Sequence, residues 1–100
     1  MKLLIAVDME GITGVVTWNH VDPGHPENQR FRRLMTQDVN AAVRGAAEGG
    51  ADEIIVTDGH WNSDNILVEE LDRRARRPYI SGQAGEKYLL VRARWKFGRR

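Results

Sequence analysis

The sequence contains no cysteine and no long hydrophobic run. Without cysteine the chain has no disulfides, thiolate metal sites or cysteine nucleophile, so oxygen and imidazole must hold any metal. No hydrophobic run approaches the roughly 20 residues that span a bilayer, and the first apolar run meets Asp8 too early for a secretory signal. We therefore expect a cytoplasmic protein with no membrane partner.

Charge is distributed unevenly along the 100 residues, although the net charge is only +1. Residues 1–86 carry all 14 acidic and nine of the 15 basic side chains, whereas residues 87–100 carry six basic side chains and no acidic one. This change in composition predicts a domain over 1–86 followed by a basic tail of atypical composition over 87–100. A basic tail can contact nucleic acid or anionic lipid. Because this one also contains apolar residues, truncation or a shifted reading frame explains it better, and a nucleic-acid partner is unlikely.

Two short β-branched or aliphatic runs flank a long amphipathic segment. Lys2–Val7 and Glu53–Thr57 have the continuous apolar character of buried parallel strands. Between them, apolar residues recur at helical spacing from Gln29 to Glu48, and two glycines follow. The pattern predicts an α/β fold, a βαβ unit with a small, mostly parallel sheet in which both strands end at the same edge.

The remaining segments give weaker patterns. Residues 21–28 hold two prolines and a glycine, which indicates a loop. Residues 66–76 are compatible with a second helix, whose end would carry the solvated arginines of positions 73–77. A third short strand is expected at residues 79–81.

Asp8, Glu10 and His60 are the candidate metal ligands. Asp8 and Glu10 are two residues apart, so in an extended segment both carboxylates point the same way, and two close anions repel unless a cation lies between them. His60 follows the second strand, at the sheet edge where α/β folds bind ligands. Carboxylates with imidazole and no thiolate favour Zn²⁺, Mn²⁺ or Fe²⁺ over Ca²⁺ or Mg²⁺.

Each of these residues also has an ordinary structural interpretation. An acid after a strand is often a turn former or a helix cap, and a lone loop histidine is more often hydrogen-bonded than metal-bound. Asp58 is a candidate for orienting His60 from outside the metal ligands, and a turn residue is an equal alternative. We interpret His20 and His25 as solvated or substrate-side groups.

Trp18 and Trp61 have two interpretations as well. They can line a cleft or cap the core, and an aromatic side chain in a small domain belongs more often to the core.

Residues 6–14, with the sequence AVDMEGITG, resemble the opening motif of the D-aminopeptidase family of bacterial dipeptide-transport operons. Residues 56–60, VTDGH, are similar to that family's second motif, and Met35-Thr36 and residues 80–82 fit its pattern. The resemblance covers residues 1–86. It implies a zinc-dependent aminopeptidase that releases amino-terminal D-amino acids from short peptides, and a ring-shaped homo-oligomer, a decamer in the family.

The resemblance also implies roles for individual residues. Asp8 would bridge two zinc ions, and Glu10 and His60 would be further ligands. The family's remaining ligands and its catalytic histidine have no counterpart in the matched residues, so no catalytic residue is identified here. We expect the chain to be a truncated or frame-shifted form of such an enzyme.

Two rival functions remain open from the residues alone. Asp8-Met9-Glu10 imitates the Asp-x-Asp motif of haloacid-dehalogenase-like phosphatases, and Thr57 has the position that such an enzyme requires, but Glu10 replaces the second aspartate. The other rival function is that of a non-catalytic α/β module whose basic tail binds nucleic acid. Trp95 and Phe97 of that tail could stack on single-stranded bases. Against it, the sheet edge is acidic and no nucleic-acid-binding motif is present.

Overall fold

The computed structural model describes residues 1–76 and the strand at residues 89–93. In chain order the elements are β1 (Lys2–Val7), α1 (Trp18–Val21), α2 (Asn28–Glu48), β2 (Glu53–Asp58), a 3₁₀ turn (Val68–Glu70), β3 (Ala75–Arg76) and β4 (Leu89–Ala93). The predicted strands and the long helix are therefore present, with α2 beginning one residue earlier than expected and β2 ending one residue later. Neither described helix combines the length and the apolar character needed to cross a bilayer.

The described strands form one parallel sheet in the order β3-β2-β1-β4. Lys2 of β1 is opposite Glu53 of β2, and the pairing continues until Val7 is opposite Asp58. Because the two strands run in the same direction and end together, the residues that follow each of them emerge at one edge. The α/β fold class predicted from the sequence is confirmed.

Helix α2 packs on one face of the sheet and closes the core. Its buried apolar side chains recur every three or four residues, and they are Phe31, Met35, Val39 and Val43. They face the alternate residues of β1 and β2 that point the same way, which are Leu3, Ile5, Val7, Ile54 and Val56. This fixed packing holds the two strand ends at one place on the surface.

The second helix expected at residues 66–76 is wrong. This segment forms the 3₁₀ turn and the short strand β3, which pairs with β2 at Ile54 and Ile55. Polar contacts replace helical ones: Asn40 of α2 donates to the Glu70 carbonyl at 2.8 Å and accepts from the Asp72 amide at 2.7 Å. The apolar residues of this segment could not outweigh these fixed hydrogen bonds.

The arginines of this segment consequently lie at no helix end. Arg74 instead pairs with Asp72, with 2.8 Å between Nη2 and Oδ2. The strand expected at residues 79–81 lies outside the described residues.

Part of the segment set apart as a basic tail belongs to the sheet. Residues 89–93 form β4, which pairs with β1 so that Leu3 is opposite Leu89 and Val7 is opposite Ala93. This strand makes β1 a central strand with a neighbour on each side. The domain boundary at residue 86 remains a prediction.

Candidate metal centre

Asp8, Glu10 and His60 converge at the carboxyl edge of the sheet. Nδ1 of His60 lies 3.1 Å from Oδ1 of Asp8 and 3.1 Å from Oε1 of Glu10. One ligand atom from each residue lies within 4.8 Å of the other two. The long-range proximity expected from the sequence is therefore present in the structure.

The segment after β1 bends, although an extended segment was expected. Met9 is fully buried beneath the turn, and its carbonyl accepts a hydrogen bond from Ile12 at 3.1 Å. Gly11 follows with a φ of 105°, a conformation that side chains with a Cβ disfavour. Burial of Met9 between them leaves the carboxylates of Asp8 and Glu10 half-buried at the surface beside His60.

His60 reaches the site through a loop organised by Asp58. The buried Asp58 carboxylate accepts hydrogen bonds from the backbone amides of His60 (3.2 Å), Asn65 (2.7 Å) and Ile66 (2.9 Å). Gly59 lies against the end of β1, where its amide donates to the Val7 carbonyl at 2.8 Å. Asp58 thus contacts the backbone of His60 and orders the loop that carries the ring.

The carbonyl of Val21 sets the orientation of the His60 ring, a contact that no sequence pattern indicated. It lies 2.7 Å from Nε2, so Nε2 carries a proton and donates to it. In a neutral ring Nδ1 then presents its lone pair to two carboxylates, an arrangement of three acceptors that requires a proton or a cation. Donation of the remote N–H to a backbone carbonyl is the usual arrangement of a metal-bound histidine.

The pKa values of this cluster are shifted as expected for interacting charges. Burial by itself would lower the pKa of His60, but the hydrogen bonds to Asp8 and the Val21 carbonyl, with the charge of Glu10, outweigh it and raise that pKa. Burial likewise opposes ionisation of Asp8, yet its hydrogen bonds hold the pKa of Asp8 below the ordinary value. These two shifts favour an ionised Asp8 beside a cation.

The donor set fits a divalent metal. Oε1 of Glu10 is buried and, among the described residues, accepts no hydrogen bond despite its closeness to Nδ1. Ligand atoms held about 2.0–2.2 Å from one tetrahedral zinc lie roughly 3.2–3.6 Å apart, close to both observed Nδ1–oxygen distances. Both nitrogen–oxygen pairs are thus spaced much as two ligands of one ion would be.

A cleft of about 510 Å³ opens over the cluster. Besides the three candidate ligands, its lining includes Trp18, Asn19 and Val21 of α1, together with Asp22, Gly59 and Trp61. The preferred interpretation of the tryptophans as core residues is wrong, since Trp18 is 75% exposed and Trp61 is 66% exposed. In the sequence, the available indication of their exposure was that both tryptophans lie next to turns and outside the apolar periodicity.

The other two histidines lie away from the cluster. His20 stacks on Phe31 with ring centroids 3.8 Å apart, and its Nδ1 lies 3.2 Å from the amide of Val16. Nδ1 of His25 accepts from the amide of Glu27 at 3.2 Å. Both histidines stabilise local turns.

Comparisons with known proteins identify the family of the chain. The D-aminopeptidase (peptidase M55) family matches residues 1–93. The chain belongs to the D-aminopeptidase family. That assignment decides against the phosphatase suggested by Asp8-Met9-Glu10, and the family match runs seven residues past the resemblance found in the sequence.

One sequence match and one structural match from Bacillus subtilis support this assignment. The D-aminopeptidase of strain 168 is 39% identical over 75 residues, which are 75% of this chain and 27% of that protein. The solved structure of DppA, described as a zinc-dependent D-aminopeptidase and a self-compartmentalizing protease, superposes with a TM-score of 0.77 at 38% identity. That superposition covers 84% of this chain and 30% of the DppA chain, so the chain spans under a third of either relative.

Proposed function

We propose that this chain supplies the amino-terminal metal ligands of a zinc-dependent aminopeptidase that releases D-amino acids from the amino terminus of short peptides. The observation that carries the proposal is the approach of two carboxylates to Nδ1 of His60, while Nε2 donates to a backbone carbonyl. Family membership and the zinc dependence described for DppA support zinc as the ion. The donor types would also accept Mn²⁺ or Fe²⁺.

Asp8, Glu10 and His60 would hold the metal. When bound, zinc supplies Lewis-acid chemistry, which polarises a peptide carbonyl and makes water nucleophilic near neutral pH. The Val21 carbonyl keeps the proton on Nε2 of His60 and so leaves Nδ1 available as a ligand. The buried carboxylate of Asp58 keeps the His60 backbone in place. Asp8 is the proposed bridging ligand if a second ion binds.

Metal analysis of the purified chain tests the site. After incubation with zinc and gel filtration, we expect about one zinc per chain, and less than about 0.1 in Asp8→Asn and His60→Ala, since each loses a ligand. Asp64→Asn and His25→Gln are the matched controls, because both residues lie outside the cleft lining. Full zinc content in Asp8→Asn or His60→Ala would contradict the proposed ligand set.

Peptide hydrolysis tests the reaction. The zinc-loaded chain should release D-alanine from D-alanyl-glycine faster than L-alanine from L-alanyl-glycine, and His60→Ala or a chelator should abolish the release. Equal rates for the two enantiomers, or undiminished release by His60→Ala, would argue against a D-aminopeptidase. No release from a chain with full zinc content would restrict the proposal to metal binding.

We also propose that copies of this chain associate, in the ring-shaped decamer that the family resemblance implies. The description of DppA as self-compartmentalizing supports the proposal. Sedimentation velocity should show a species much larger than the 11.4 kDa of one chain. A monomer at all accessible concentrations would refute self-association.

A further inference from the structure

Two exposed tryptophans border the cleft, and neither takes part in the metal site. Of the large apolar side chains that the described residues expose, only Trp18 and Trp61 line the cleft. The exposed indoles come from different segments, α1 and the loop after β2. Apolar surface of this kind that is kept next to a polar cluster marks a binding site.

The hydrogen bond between His60 and the Val21 carbonyl joins these two segments. Because Nε2 of His60 lies 2.7 Å from that carbonyl, the end of α1 is fixed beside the loop after β2. Trp18 lies three residues before this contact and Trp61 follows His60 directly. The Trp61 ring meets the His60 ring edge-on, with centroids 6.2 Å apart and planes at 87°. The contact that orients the ligand thus also places both indoles at the cleft.

Trp61 adopts a backbone conformation that is unfavourable for a bulky residue. Its φ is 49°, in the left-handed region where a bulky residue is rare and strained. Glycine or asparagine would fit this position better, and the exposed indole gains little from packing there. Strain of this kind is found at functional sites, where the surrounding structure holds a residue for its side chain.

The charges of the cleft restrict what the tryptophans can bind. Asp8, Glu10 and Asp22 line it together with His60, and among the described residues no lysine or arginine contributes to this lining. With zinc bound, the metal offsets the charges of Asp8 and Glu10, and Asp22 remains to repel an anionic substrate side chain. An apolar side chain would instead bury the indole faces.

We propose that Trp18 and Trp61 form an aromatic rim that binds a large apolar side chain on the first residue of the peptide substrate. The rim would make the cleft selective for amino-terminal phenylalanine-like residues over alanine and over glutamate. This inference rests on the proposed function, because it assigns the side-chain subsite of that reaction.

Peptide binding to the zinc-loaded chain tests the rim without requiring turnover. Calorimetric titrations would use D-phenylalanyl-glycine, D-alanyl-glycine and D-glutamyl-glycine, with zinc content measured on the same samples. A hydrophobic pocket commonly discriminates by tenfold or more, so we expect the phenylalanyl peptide to bind at least about tenfold tighter than the alanyl peptide. The glutamyl peptide should bind least tightly.

Variants separate the rim from general folding effects. Trp18→Ala and Trp61→Ala should each reduce the phenylalanine preference to about twofold or less, Trp61→Phe should keep most of it, and all should keep wild-type zinc content. Trp61→Gly should lose the preference without a fall in melting temperature, because glycine relieves the left-handed strain. Val68→Ala, which changes an exposed apolar residue outside the cleft, should leave the preference unchanged.

Several results would overturn the rim. These are equal affinities of the wild-type chain for the phenylalanyl and alanyl peptides, no binding of either peptide, or a preference that survives both alanine substitutions. Self-association that Trp18→Ala or Trp61→Ala abolishes, with no change in peptide preference, would show that the indoles form a subunit interface instead. Zinc content reports on the metal site independently, so a failure of the rim is distinguishable from a failure of the proposed function.

Discussion

Gly59 links the end of β1 to the loop that carries His60, and its lack of a side chain permits a close approach. A Cβ at this position would lie 3.3 Å from the Val7 carbonyl oxygen, which is tighter than ordinary contact. We expect Gly59→Ala to lower the free energy of unfolding by about 1–3 kcal/mol, as overpacking does. Relief of this close contact would displace the loop that carries His60, so the affinity for zinc should also fall.

Gly45 is the matched control for this substitution. It lies in α2, and a Cβ there would meet nothing within 4 Å. Gly45→Ala should raise the free energy of unfolding by about 0.5–1 kcal/mol, since alanine is the better helix residue. Urea denaturation measures both variants, and an equally stable Gly59→Ala would show that the contact with β1 is unimportant.

The buried carboxylate of Asp58 supports His60 through the backbone. Asn65 contributes two of its donors: the backbone amide at 2.7 Å and the side-chain Nδ2 at 3.1 Å. In Asp58→Asn an amide NH₂ would face one of these donors, which should cost about 1–3 kcal/mol of stability for an unsatisfied buried group. Zinc affinity should also fall about tenfold or more, the usual effect of losing an outer partner of a ligand.

The exposed Asp64 provides the comparison for Asp58. Asp64→Asn should change the free energy of unfolding by no more than about 0.5 kcal/mol, as surface substitutions usually do. Thermal denaturation measures the stability of both variants, and zinc titration measures their affinity for zinc. Equal behaviour of Asp58→Asn and Asp64→Asn would contradict the organising role of the buried carboxylate.

Among the elements, helix α2 holds the segment before β3 in place, because Asn40 forms hydrogen bonds with the backbone of Glu70 and Asp72. Hydrogen bonds from Arg74 hold the pKa of Asp72 at about 2, well below the ordinary value of 3.8. A depressed folded-state pKa adds stability that is present above pH 3.8 and is lost as the pH falls toward 2. Over this pH range, the free energy of unfolding of Asp72→Asn should therefore fall less than that of the wild type.

Acid denaturation of the two proteins measures this effect. The difference in unfolding midpoint between wild type and Asp72→Asn should shrink steadily as the pH falls from 5 to 2. Because the Arg74 side chain is exposed to solvent, 0.5 M salt should reduce the difference as well. A difference that does not depend on pH would mean that the Asp72 charge contributes nothing.

The elements also show which sequence patterns were informative. Lys2–Val7 and residues 29–48 were predicted well because an unbroken apolar strand and a long 3.6-residue period each allow one burial arrangement. Residues 66–76 were mispredicted because their apolar residues are clustered at one end and define no clear helical period, and because distant partners such as Asn40 decide the conformation. Local pattern cannot reveal hydrogen bonds formed between segments that are 30 residues apart.

At the scale of the whole molecule, the parallel pairing of β1 and β2 creates the site. The register that places Val7 opposite Asp58 brings residues 8 and 60 together. The sequence therefore sufficed to predict the convergence of Asp8, Glu10 and His60. The Val21 carbonyl and the two tryptophans were not predicted, because their placement depends on how the loop and α1 fold over the sheet edge.

We propose that Nδ1 of His60 is a metal ligand while Nε2–H donates to the Val21 carbonyl. Nitrogen-15 NMR of the histidine rings during a zinc titration tests it directly. We predict that zinc shifts the Nδ1 resonance of His60 and leaves Nε2 protonated, while the rings of His20 and His25 do not respond. A zinc-induced shift at Nε2 with loss of its proton, or no response from His60, would show that Nδ1 of His60 is not a zinc ligand.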